Sequence, residues 1–166
     1  MTTVAFTGSR DVPPACIDAI EEFIDRISAD LFVTGACVGV DQMIATLISA
    51  RRPMAKQRIV VPRDRSRVDR YWLSAIATNR NVEVVSMDRG STYRDRNLVL
   101  LGELVLGLPT TVNPIKPDLL VGLPMFAEDD SRSLRSGTWQ TIRLAQEPTR
   151  NIPTQVYVLA DLALIR

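Results

Sequence analysis

Apolar residues follow two rhythms along the chain, and the alternation between them predicts the fold. Residues 3–6 form a short apolar run, and Ile17, Ile20, Phe23, Ile24 and Ile27 follow as one helical stripe. The order then repeats. Residues 31–34 read as a strand, and Val40, Met43, Ile44, Leu47 and Ile48 share a helical face behind a glycine-bounded loop. A third strand is expected over 58–61, a helix over 66–79 carrying Val68, Trp72 and Ile76, and a fourth strand over 82–86. Residues 93 to about 106 read as a helix, although 103–108 alone also fits a strand; helix is the preferred reading. Three prolines mark 109–117 as a loop, and 118–123 reads as the fifth strand. Residues 132–136 look like a mobile polar loop, 137–146 a helix with Ile142, Leu144 and Ala145 turned inward, and 155–159 the last strand.

Strands that alternate with helices need crossover connections, which favour parallel neighbours. The pattern therefore predicts an α/β chain: one Rossmann-like domain over residues 1–166, with a mostly parallel sheet and helices on both faces. No solenoid repeat, low-complexity segment or interdomain linker interrupts it.

Composition narrows the chemistry. With 46% hydrophobic residues the chain is too apolar for disorder, yet no apolar run approaches the roughly 20 residues of a membrane span. The N-terminus lacks the charged start and apolar core of a signal peptide, so a cytoplasmic location and no membrane partner are expected. Two cysteines and no histidine leave no structural zinc site and no Ser-His-Asp or Cys-His nucleophile. No metal and no cofactor are expected. Acid–base chemistry would fall to carboxylates, Tyr, Lys or water.

The balance of 20 basic and 19 acidic residues hides a segregation. Residues 1–50 hold two basic against seven acidic side chains, and residues 51–96 hold twelve against five. Eighteen of the cations are Arg, whose planar fork grips phosphate or carboxylate with paired hydrogen bonds, although a GC-rich genome writes the same bias.

Parallel sheets bind ligands beyond the carboxyl ends of their strands, so the loops leaving strands one, two and five should line one crevice. Thr7-Gly8-Ser9-Arg10 offers amides, hydroxyls and a guanidinium, while Gly35 and Gly39 allow close backbone approach ahead of a helix. Ser136-Gly137-Thr138 opens the last long helix, with Ser136 as N-cap and free amides beyond it. Three such loops after three strands point to a phosphate-bearing ligand. Neither the full Rossmann dinucleotide spacing nor a Walker loop is present.

Four motifs in order, Thr7-Gly8-Ser9-Arg10, Gly35-Ala36-Cys37-Val38-Gly39-Val40-Asp41, Tyr93-Arg94-Asp95-Arg96-Asn97 and Ser136-Gly137-Thr138-Trp139, resemble the SLOG superfamily. This superfamily groups YspA/YpsA-like proteins, LOG phosphoribohydrolases and the DNA-processing protein DprA. The resemblance implies a nucleotide or nucleotide-derived ligand, with the residues of the four motifs around it. For the LOG branch it implies cleavage of the base–ribose bond of a nucleoside 5'-monophosphate, served by an Arg followed by Lys or Asn. Arg96-Asn97 matches that pair. A Glu three residues beyond Gly-Thr is replaced by Thr141, and the preceding Pro-Gly-Gly is absent.

Cleavage needs a carboxylate beside the ribose, and Asp41, Asp95 and Glu103 are the substitutes. Catalytic candidates are thus Arg96, Asp41 and Glu103. Asp41 also suits a helix start, Asp95 can pair with Arg94 or Arg96, and Glu103 fits a solvated helix face. Trp139 either stacks on a base or packs on a neighbouring strand, and Cys37 is either a reactive thiol or a small buried spacer. The expected partner is a nucleotide-type small molecule bound by a homo-oligomer, with DprA-like binding of single-stranded DNA as an alternative.

Overall fold

The computed structural model describes residues 1–88 and 91–164. Six strands, β1 (Thr3–Gly8), β2 (Leu31–Gly35), β3 (Lys56–Val61), β4 (Val82–Ser86), β5 (Leu119–Leu123) and β6 (Thr154–Val156), form one sheet. Its order is β4-β3-β2-β1-β5-β6 and every pairing is parallel. Helices α1 (Ile17–Arg26), α2 (Val40–Arg51), α3 (Arg70–Ile76), α4 (Tyr93–Leu100), α5 (Gly137–Gln146) and α6 (Leu159–Leu162) connect or follow the strands. The chain is α/β and Rossmann-like, as its pattern predicts.

Period-two alternation sorts the strand residues onto two cores. Val4 and Phe6 of β1, Phe32 of β2 and Val121 of β5 face α1 and α2 through Ile20, Ile24, Ile44 and Ile48. The intervening Ala5, Val33 and Leu120 face α4 and α5 through Val99, Leu100, Trp139 and Ile142. Ile59 and Val61 meet Leu73 and Ile76 of α3 in a third cluster. Growth runs outward from β1 to β4, then returns to place β5 on the other side of β1. That reversal is a topological switch point, where the loops after β1 and β5 diverge and leave a crevice.

Several element ends differ from expectation. Helix α4 stops at Leu100, not near residue 106. Gly102, at φ 82°, turns the chain while its amide and that of Glu103 bond to Val99 and Leu98 carbonyls, a Schellman stop. Residues 103–108 are irregular with a turn at 106–107, neither helix nor strand. Helix α3 starts at Arg70 because Asp69 caps it, accepting from the Tyr71 and Trp72 amides. The last strand is only Thr154–Val156, and Leu159 opens α6. The polar loop at 132–136 includes the end of a 3₁₀ turn, Ser131–Ser133, in which buried Ser133 donates to the Ala127 carbonyl at 2.6 Å. No helix among the described residues is long and apolar enough to cross a membrane.

Candidate functional site

The loops at the switch point are tied to one another before any ligand is considered. Val40 N–H donates to the Ser9 carbonyl at 2.9 Å, Val38 N–H to Arg67 at 2.8 Å, and Ser9 N–H to Leu123 at 3.0 Å. The loops after β1, β2, β3 and β5 therefore hold a common frame. A crevice of about 610 Å³ opens over it.

Ten of the expected residues line this crevice. Thr7, Gly8, Ser9 and Arg10 come from the β1 loop, Asp41 from α2, and Arg96 and Asn97 from α4. Ser136, Gly137 and Thr138 form the opposite wall at the start of α5. Ser136 caps that helix, its hydroxyl accepting from the Trp139 amide at 3.3 Å. The next amides, Gly137 and Thr138, are first-turn donors that no helical carbonyl can reach. A Cβ on Gly137 would meet nothing within 4 Å. The helix start is open.

Other glycines serve the protein's own packing. A Cβ at Gly35 would overlap Arg96 Nη1 and Asp41 Oδ2, and one at Gly8 would overlap Val40. Gly39, at φ 104°, lies against the Arg10 backbone and gives α2 its start. Gly35, Ala36, Gly39 and Val40 therefore shape the frame from below and do not line the crevice. Their expected role in touching a ligand gives way to that of bringing α2, β1 and α4 close.

The crevice floor is an ion pair. Arg96 Nη1 donates to Asp41 Oδ2 at 3.0 Å, with side-chain exposures of 9% and 4%. The Cys37 amide donates to the same oxygen at 3.3 Å, and Arg96 Nη2 reaches Cys37 Sγ at 3.7 Å. Burial pushes the Asp41 carboxyl above its ordinary value, opposed by the Arg96 charge and these hydrogen bonds. Burial also pushes the Cys37 thiol up. Cys37 lines the crevice beside this pair with its thiol protonated, and so is not an activated nucleophile. Arg96 and Asp41 occupy one another, which changes the reading of both as free catalytic groups.

Two expected site residues lie elsewhere. Glu103 is past the C-terminal end of α4, whereas the crevice meets its first turns, and its carboxylate is bound by Arg150. Trp139 is buried in the core, with Nε1 donating to the Phe126 carbonyl at 2.9 Å. It does not line the crevice. Asp95 closes a capping box with Thr92 instead of pairing with its arginine neighbours. Thr141, where the LOG branch carries Glu, is buried and donates to the Gly137 carbonyl at 2.9 Å. Arg94 faces a separate groove.

The remaining lining adds cations. Arg67, Arg132 and Arg135 join Arg10 and Arg96, against the carboxylates Asp11 and Asp41. Arg10, Arg67 and Arg135 make no ion pair among the described residues; Arg67 lies 5.1 Å from the Tyr93 ring centre. Arg132 stacks 3.6 Å from the Phe126 ring centre, and its hydrogen bonds hold Asp130 down at about 2. Glu128 is engaged by Arg143 at 2.8 Å. The acidic stretch 128–130 thus has two of its carboxylates neutralised, and one of them steers an arginine toward the crevice. Low-dielectric walls focus such a field onto an anion.

Arg67 was visible only as part of the basic segment, and Phe126 only as a residue beyond the end of β5. No group of three or more metal-ligating side chains occurs among the described residues. No family model, curated protein or solved structure matches the chain.

Proposed function

We propose that the crevice binds a nucleotide or nucleotide-derived phosphate, the ligand class implied by the resemblance to the SLOG superfamily. The observation that carries the reading is a crevice in which Arg10, Arg67 and Arg135, which make no ion pair among the described residues, share the lining with the open N-terminus of α5, where Gly137 leaves the first-turn amides bare. A phosphate at that point gains from amide contacts and the helix dipole, and the guanidiniums add charge-assisted hydrogen bonds. Saturating the site at a hundredfold excess over Kd is expected to stabilise the fold by about 2.7 kcal/mol, a rise in melting temperature of roughly 5–10 °C. Thermal melts against nucleoside mono- and diphosphates and cyclic dinucleotides measure it. Absence of a shift with every member of the panel would sink the reading.

The reading is binding without cleavage. Hydrolysis of an N-glycosidic bond calls for a carboxylate at the ribose, and Asp41 is engaged by Arg96 while Glu103 is engaged by Arg150. Incubation with AMP, GMP, CMP and their deoxy forms is therefore expected to release base slowly or not at all. Chromatography for free base decides it; rapid release would overturn the reading, and Asp11→Asn and Asp41→Asn would then show which carboxylate of the lining takes the role. Salt separates a small ligand from single-stranded DNA, whose affinity falls steeply as counterions are released.

A further inference from the structure

A second cavity of about 410 Å³ lies between α4 and α5, and it adjoins the crevice because Asn97 and Gln140 line both. Its remaining walls are Arg94, Arg143, Leu144 and Glu147. The character changes from one space to the other. In the groove Arg143 is held by Glu128 at 2.8 Å and Glu147 is bound by Arg150, so most of the local charge is already compensated. What remains are guanidinium planes, the Leu144 side chain and two carboxamides at the junction.

A nucleotide has the same two-part character, an anion at one end and a planar heterocycle at the other. Guanidinium planes stack on aromatic rings. Carboxamides present a donor and an acceptor to a base edge. Along α5, Gln140 lies about 4.5 Å and Leu144 about 10 Å beyond Gly137, the span that separates the base of a mononucleotide from its phosphate.

We propose that the α4–α5 groove is the base subsite for the nucleotide whose phosphate sits in the arginine-lined crevice. Arg94 and Arg143 form its stacking walls, and Asn97 and Gln140 meet the base edge. The assignment rests on the phosphate-binding reading above, and the experiment separates the two.

Isothermal titration would compare ribose 5-phosphate, which lacks a base, with AMP, GMP, CMP and UMP, on the wild type and on Arg94→Ala/Arg143→Ala. Both arginines are exposed, so the double variant keeps the core intact. The best monophosphate is expected to bind the wild type at least tenfold more tightly than ribose 5-phosphate. The double variant should lose most of that increment and keep its ribose 5-phosphate affinity within about twofold. Equal affinities for all five probes in the wild type would overturn the base subsite and leave the phosphate reading standing. An increment retained in the double variant would place the base elsewhere, and an equal loss for all probes would make these arginines phosphate ligands; either overturns the assignment. Binding of none of the five would overturn the mononucleotide subsite, and the phosphate reading would then be decided by the diphosphates and cyclic dinucleotides of the melting panel.

Discussion

Replacing Arg96 by Ala is expected to destabilise the protein by about 3–5 kcal/mol at neutral pH, the cost of stranding a buried charge. In a chain of this length that is a fall in melting temperature of roughly 6–20 °C. Judged from its motif alone, Arg96 would serve only a ligand, and its loss would leave the apo protein intact. The structure changes that expectation, because Asp41 is buried at 3.0 Å from the guanidinium and depends on it for its charge. The pH dependence identifies the cause. Burial raises the folded-state value of Asp41 while Arg96 lowers it, so removing Arg96 raises it further. A raised folded value gives a contribution that is fully present below the unfolded-state value and is lost as pH rises through the folded one. The deficit of the variant against the wild type should thus be largest near neutrality and should narrow as the solution approaches about pH 4, where Asp41 carries a proton. Paired thermal melts from about pH 4 to pH 8 test this. Adding Asp41→Asn removes the stranded charge and should restore part of the loss. A small, pH-independent difference would show that the pair contributes nothing to folding.

The order of strands and helices was legible because burial on both faces of a parallel sheet imposes continuous apolar runs, and helices against it impose a 3.6-residue stripe. Boundaries were less so, yet two of the misplaced ones carried a local signal. Gly102 ends α4 by adopting φ 82°, and Asp69 caps α3. The run 103–108 misled because Leu104 and Leu106 look like core residues and are 77% and 86% exposed. Even the expected helix placed Glu103 about 10 Å along its axis from Arg96, too far for one reacting centre. Glycines marked the right loops for partly the wrong reason. Gly8, Gly35 and Gly39 make room for Val40, Arg96 and Arg10, partners that no local pattern reveals. Trp139 reads ambiguously because a first-turn aromatic can face a site or a strand, and its bond to the Phe126 carbonyl decides for the core.

Gly137→Val is expected to abolish the stabilisation by nucleotide while leaving the apo melting temperature nearly unchanged. Gly137 is the first residue of α5, its φ is not positive, and the space around it is empty, so the protein itself accommodates the isopropyl group. Valine also has a better helix propensity than glycine, which offsets its loss of side-chain freedom. Gly137 lines the crevice, so the isopropyl group is expected to compete for the space beside the Gly137 and Thr138 amides that a phosphate oxygen would take. Affinity should fall at least a hundredfold, about 2.7 kcal/mol, and Gly137→Ala should fall between the two. Thermal melts of each variant with and without saturating nucleotide give both quantities from one experiment. Retention of wild-type affinity by Gly137→Val would mean that Ser136 merely caps α5, and the phosphate would then lie across the crevice on Arg10 and Arg67.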